Sequence, residues 1–149
     1  MADNLAVTPG SGAIVAAEDV GGVLYQRVFM GRSYVVETLI ISAGTALTEE
    51  MDMRRYAGGI VIIPAAWTAA NLGIYISPTS AGTFVILRDY LGAPVQVNGI
   101  EVAGSRAYQI PEDAYACGYI KFWSKSAVPA TEADVNQVAE RSLTVILKG

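Results

Sequence analysis

Hydrophobic and polar residues follow a period of two through most of the chain beyond Gly21, as they do in β-strands. Residues 23–30 alternate between two sets of side chains, and residues 34–41 are rich in β-branched residues. Residues 58–63 form a continuous β-branched run that ends at Pro64, which is typical of a strand buried on both faces. No segment longer than about eight residues keeps the 3.6-residue period of an amphipathic helix. The pattern therefore predicts an all-β chain.

Turn sequences recur every eight to twelve residues and divide the rest of the chain into short strands. The turn at 78–82 predicts a hairpin, and Asn98-Gly99 is the strongest short hairpin signal in the sequence. Pro111 followed by two acids predicts a single helical turn at 111–115. The remaining strands are predicted at 72–77, 83–90, 95–97, 100–102, 106–110, 118–124 and 143–147. This spacing is typical of a β-sandwich or barrel.

Two segments lack the pattern of a packed strand and are candidate contact elements. Residues 1–20 are small or polar and contain a Pro-Gly-Ser-Gly break, so we expect an extended arm at 1–20 and a sandwich domain at 21–149, with a disordered tail as the alternative. Residues 125–141 are long for a loop, and such loops are usually functional or disordered. The candidate assembly contacts in these segments are Leu5, Val7, Ile14, Val15, Val128 and Val135.

The composition changes this picture by indicating association. The chain has 149 residues, enough for one domain, and charged residues make up only 16% of it, against about 25% in an average soluble domain. Because large exposed apolar patches are uncommon on monomers, we expect a homo-oligomer, a trimer or higher. The longest apolar stretch, 58–67, is too short to span a membrane. With no secretory signal in the sequence, we expect folding in a cytoplasm.

Charge and residue inventory exclude several functions. The net charge is −4, and the basic residues do not cluster except at Arg54-Arg55, which lies among acids, so we expect no nucleic-acid binding. There is no histidine and one cysteine, Cys117, so Ser-His-Asp and Cys-His catalysis, histidine-ligated metals and an internal disulfide are not available. We expect no enzyme activity and no cofactor.

Carboxylates and aromatic residues leave two further possibilities open. Acids occur in four groups within predicted arms, loops or turns, where solvation or capping is their ordinary role; a catalytic pair or a calcium site is the alternative. Trp67 and Trp123 are candidates for stacking on host glycans, with packing in the core or at an interface as the alternative.

Three tracts resemble a family of tailed-bacteriophage virion proteins. The first is DNLAVTPGSGA at 3–13, continuing as EDVGGV at 18–23 and YQRV at 25–28. The second is IPAAWTAA at 63–70, and the third is VNQVA at 135–139 with RSLTVIL at 141–147.

The resemblance implies a jelly-roll sandwich of the galactose-binding type with an extended N-terminal arm. Relatives often carry Ser-x-Asp-Gly in a hairpin where this chain has SPTSAG at 77–82, so no ligand role is carried over to that turn. It also implies a virion component, for which we expect the role of a capsid decoration or cement protein that binds the major capsid protein and its own copies. A tail, neck or fibre-associated protein and a carbohydrate-binding adhesion module are the alternatives.

Overall fold

The computed structural model describes residues 16–20, 23–27, 34–97, 105–126 and 132–149. The chain divides into two units, Met1–Gly31 and Arg32–Gly149. In the first unit, β1 (Ala16–Val20) and β2 (Val23–Arg27) form an antiparallel pair. Most of the predicted arm, residues 1–15, lies outside the described residues, and the last five residues of the arm form β1.

In its described residues, the second unit consists of strands, their connecting loops and one short 3-10 helix, Glu112–Ala116. Its strands are β3 (Tyr34–Ile41), β4 (Met51–Asp52), β5 (Gly58–Ile63), β6 (Asn71–Ser77), β7 (Val85–Ile86), β8 (Gln96–Val97), β9 (Arg106–Gln109), β10 (Tyr119–Lys125) and β11 (Arg141–Lys148). They form two antiparallel sheets. The first sheet has the order β3-β11-β5-β9, and the second has the order β4-β10-β6, with β7 and β8 both pairing with β6. The predicted all-β sandwich is confirmed.

The strand pairs have the arrangement of a jelly roll. The first strand of the sandwich pairs with the last (β3 with β11), the second with the next to last (β4 with β10), and the third with β9. These pairs form one long antiparallel ribbon. The ribbon turns back at β6, which pairs with both β7 and β8. Additional pairing of β11 with β5 and of β10 with β6 closes the ribbon into two sheets.

The core lies between the sheets and follows the alternation of side chains along each strand. In β11, Leu143, Val145 and Leu147 are buried, while the positions between them face outward. From the second sheet, Ile74 and Phe122 meet them as fully buried core side chains. Each such apolar side chain contributes roughly 1.5–3 kcal/mol when it is fully buried.

Three predicted elements have different outcomes in the structure. The helical turn after Pro111 is confirmed as the 3-10 helix. The predicted strand 83–90 is shorter in the structure, because strand geometry ends at Ile86 and residues 88–94 leave the sheet as a turn. The Asn98-Gly99 hairpin lies outside the described residues.

The prediction that residues 58–63 are buried on both faces is wrong for the second unit. Val61 and Ile63 of β5 are buried, but Ile60 is exposed and Ile62 is half-buried. The reason is that side chains alternate across the sheet, and among the described residues of this unit no further sheet packs on the outer face that carries Ile60 and Ile62.

Candidate assembly surfaces

The outer face of the first sheet is uncharged over almost its whole extent. Cross-strand registers align its side chains in rows, such as Val36 with Ile146 and Ile60, and Thr38 with Thr144 and Ile62. The outward positions are Tyr34, Val36, Thr38, Ile40, Gly58, Ile60, Ile62, Ala107, Gln109, Ser142, Thr144, Ile146 and Lys148. Lys148, at the end of β11, is the one charged residue in that set.

This face exposes apolar side chains that a monomer normally buries. Tyr34 is 73% exposed and Val36 is 53% exposed, and Ile40 and Ile60 are each exposed on the same face. Single exposed apolar residues are ordinary, but a contiguous, uncharged set on one sheet indicates a contact surface.

At one end of this face lies an apolar groove of about 500 Å³. It is lined by Tyr34, Gly58, Gly59, Ile60, Gln109, Ile146, Leu147 and Lys148. A β-carbon at Gly58 would meet nothing within 4 Å, whereas one at Gly59 would lie 2.6 Å from the carbonyl oxygen of Ile146. The groove is therefore open because Gly58 carries no side chain, and we call it the Gly58 groove.

The outer face of the second sheet is covered by the chain itself. Trp123 on β10 lies over Gly73 on β6, where a β-carbon would come within 2.8 Å of the indole ring. Tyr75 meets the ring edge-on at a centroid distance of 5.2 Å, and the indole nitrogen donates a hydrogen bond of 2.7 Å to Asp134 Oδ1. The loop that carries Asp134 thus closes over the tryptophan.

Cations accompany the aromatic residues on this second face. Lys125 is buried, its Nζ lies 5.7 Å from the centroid of the Trp123 ring, and it donates a hydrogen bond of 2.6 Å to Gln96 Oε1. Burial lowers the pKa of Lys125 because the charged ammonium loses hydration, an effect that Glu132 partly opposes. Lys121 lies over Phe84 at 4.6 Å in the same manner.

Residues 88–94, which we call the knob, project from the edge of the second sheet between β7 and β8. A bridge between Arg88 and Pro94 forms the base of the knob. The backbone N–H of Asp89 donates to the carbonyl of Ala93 at 2.8 Å, and its Oδ1 accepts hydrogen bonds of 2.9 Å from the N–H groups of Leu91 and Ala93.

The knob holds two apolar side chains in solvent. Tyr90 is 95% exposed and Leu91 is 76% exposed. Gly92 follows them with a φ of +83°, a conformation that favours glycine. Arg88 fixes the turn from the side by donating to the carbonyl of Gly92 at 2.9 Å and to Glu132 at 2.8 Å.

Two carboxylates of the second unit, Asp52 and Glu50, stabilise local structure. Asp52 accepts hydrogen bonds from the side chain and backbone of Arg54, which lowers the pKa of Asp52 to about 2. Glu50 accepts hydrogen bonds from Ser80 and from the N–H of Ala81, which lowers the pKa of Glu50 and anchors the 78–82 turn. Within the described ranges, no group of three or more Asp, Glu, Cys or His side chains could hold a metal ion.

The candidate glycan-stacking and assembly residues from the sequence lie in three kinds of position. Trp67 is 3% exposed and Trp123 is 1% exposed, so neither indole offers the open ring face that stacking on a sugar requires. Val135 packs against the core while remaining half-buried. The other assembly candidates, Leu5, Val7, Ile14, Val15 and Val128, lie outside the described residues.

Sequence reasoning did not select the outer face of the first sheet or the knob. For the face, the signal was the continuous apolar run of β5, which has more apolar residues than one buried face needs. For the knob, the signal was Asp89 three residues before Gly92, a common turn chemistry.

No helix within the described part of the chain is both long and apolar enough to cross a membrane. No family model matches the sequence, and no curated protein matches it. A solved structure does match: the crystal structure of SPBc2 prophage-derived protein YomS superimposes with a TM-score of 0.51, at 12% sequence identity, over 83% of this chain and 99% of that chain. At this identity the likeness concerns the fold, and the chain is similar in fold to a prophage-derived protein.

Proposed function

We propose that the protein is a non-enzymatic structural component of a bacteriophage particle, and that it acts as a capsid decoration or cement protein. The observation that carries the proposal is the uncharged outer face of the first sheet. The fold shared with a prophage-derived protein and the virion-family resemblance of the sequence agree with it.

Strand β5 shows why this face is a contact surface. Its run of apolar residues suits a strand covered on both sides, yet Ile60 and Ile62 face outward in the isolated second unit. Full burial of one such side chain contributes roughly 1.5–3 kcal/mol. A few half-exposed residues therefore support a weak single contact, and repetition on a shell converts weak contacts into strong attachment.

The occupant of this face is another copy of the same chain. The net charge of −4 makes copies repel each other in general. The outward positions of the first sheet carry no carboxylate and one lysine, and the nearest carboxylate, Glu49, lies at the Ile40 end of the face, so this face adds little to the repulsion. Copies on a shell would therefore use this face as one side of their mutual contact, beside their contact with the major capsid protein.

The test is co-sedimentation with empty shells of the phage that encodes the chain. Val36 and Val85 are equally exposed, at 53% and 55%, on strands of different sheets. Val85 lies opposite Ile76 at the core-facing side of its sheet edge, so thermal unfolding must show that the Val85→Lys control is folded. Wild type and Val85→Lys should bind at a fixed number of copies per shell subunit. Val36→Lys should bind at least tenfold more weakly, because a lysine must then be buried between copies.

Two outcomes would overturn the proposal. A protein that ignores shells at every concentration is not a decoration protein, and a stable oligomer with that behaviour would favour a tail or neck position. Equal binding of Val36→Lys and Val85→Lys would remove the outer face of the first sheet from the interaction.

A further inference from the structure

The knob is a hydrogen-bonded turn that exposes two apolar side chains to solvent. Asp89 accepts hydrogen bonds from two backbone N–H groups, and Arg88 is tied to both Gly92 and Glu132. This network holds Tyr90 and Leu91 outward, away from the core. A tyrosine presented on a preorganised turn is a typical interface anchor, since little conformational entropy remains to be lost on binding.

The Gly58 groove has the size and chemistry to receive such an anchor. It is an open depression with a volume of about 500 Å³, so a side chain of another molecule can enter it directly from solvent. Ile60, Ile146 and the two glycines line it with apolar surface, and Gln109 supplies a side-chain amide that can bond a phenolic hydroxyl.

We propose that Tyr90 and Leu91 of one copy insert into the Gly58 groove of the next copy. This proposal rests on the self-association in the proposed function and names the contact that produces it.

The charges beside the two surfaces are complementary. Arg88, Asp89 and Glu132 at the knob leave one net negative charge, and Lys148 at the groove carries a positive one. A like-charged pairing would slow the encounter of two acidic proteins, whereas this pairing steers it.

The geometry makes the contact intermolecular. The knob leaves the edge of the second sheet, whereas the groove lies on the outer face of the first sheet, on the far side of the core. Because the two contacting surfaces differ, the interface is head-to-tail, and such interfaces build closed rings or open arrays.

The outer face of the first sheet is too small to form a stable interface alone, so the contact needs a second element. Its four strands, about 4.8 Å apart and four to eight residues long, present a face on the order of 400 Å², less than the roughly 800 Å² per partner of a stable interface. An inserted tyrosine buries about 150–250 Å² more.

The experiment uses two variants of the full chain that disable opposite halves of the contact. Tyr90→Ala/Leu91→Ala removes the knob side chains, and Gly58→Val places a branched side chain in the groove, at a position where a β-carbon meets nothing within 4 Å. Each variant alone should be monomeric by sedimentation velocity at concentrations where wild type is oligomeric. Val85→Lys is the control and should keep the wild-type mass.

Mixing the two variants gives the decisive result. The groove-filled copy still has its knob and the knobless copy still has its groove, so an equimolar mixture should form a one-to-one dimer and nothing larger. Thermal unfolding of each variant checks that it is folded.

The outcomes separate this proposal from the proposed function. A wild type that stays monomeric at every concentration overturns the self-association itself and this contact with it. An oligomeric wild type whose two variants keep its mass overturns the knob-and-groove contact alone, leaving the groove to another occupant such as the capsid protein. Monomeric variants that do not combine in the mixture also overturn the contact.

Discussion

The two sheets of the sandwich differ in how they treat their outer faces. The second sheet covers its own: the loop carrying Asp134 closes over Trp123, and Lys125 is buried beside the ring. The first sheet leaves Val36 and Ile60 exposed among hydroxyl and aliphatic side chains. The two faces are thus built from residues of different chemistry on one shared core.

The glycines of the two faces show the same contrast. Gly73 on β6 has no room for a β-carbon because the Trp123 ring occupies that position. At Gly58 on β5, the position of a β-carbon is open space. One glycine admits a side chain of its own chain, and the other leaves room for something outside it.

The largest expected effect comes from removing the cover of the second sheet. Trp123→Ala should lower the free energy of unfolding by about 3–5 kcal/mol, because it leaves a large cavity and removes the partner of Asp134. Tyr90→Ala, at a nearly fully exposed position, should change it by no more than about 0.5 kcal/mol. Urea denaturation measures both. A Trp123→Ala variant as stable as wild type would contradict the description of the covered face.

An intermediate effect is expected from the glycine pair. Gly73→Ala should destabilise by about 1–3 kcal/mol, since the new methyl group must displace an aromatic ring. Gly58→Ala should be neutral or stabilising by up to about 1 kcal/mol, because glycine is unfavourable inside a strand. The urea midpoints of the two variants, measured in one series with wild type, test this prediction. Equal shifts of the midpoint for both variants would contradict the difference between the two faces.

The smallest effect concerns the exposed ion pair beside the second sheet. The Arg54 guanidinium lowers the pKa of Asp52 from 3.8 to about 2. Because the folded pKa is the lower one, the pair stabilises the fold above pH 3.8, and this contribution is lost as the pH falls from 3.8 through 2. Solvent and salt screen the pair, so the change in stability should be small.

The pKa itself is the better readout for this pair. An NMR titration of Asp52 should give a pKa of about 2, and Arg54→Gln should raise it in part, because the backbone N–H of residue 54 still donates to Asp52 Oδ1. An unchanged titration in Arg54→Gln would assign the shift to another cause.

Sequence reasoning reached the sandwich because alternation reports which residues share a face. It found β3, β6 and β10 for that reason, and Pro111 located the 3-10 helix. It could not tell which outer face was covered, because alternation is the same whether the partner is a loop of this chain or another molecule.

The two tryptophans illustrate the same limit. The sequence does not indicate whether Trp67 or Trp123 is exposed to solvent, and exposure decides whether an indole ring can stack on a glycan. Trp67 belongs to the hydrophobic core, and Trp123 packs against Gly73 and Tyr75 on the neighbouring strand, which are contacts that the alternation pattern does not specify. The knob was missed because residues 83–90 keep a strand-like pattern up to the turn at Asp89.

Sedimentation equilibrium, which gives the mass of the protein in solution as a function of concentration, decides whether the outer face of the first sheet is a contact between copies. Three proteins are compared: wild type, Val36→Lys on the open face, and Val85→Lys at equal exposure on the other sheet. The account predicts that wild type and Val85→Lys associate alike and that Val36→Lys remains monomeric at concentrations at least tenfold higher. Identical association curves for the two lysine variants would contradict it.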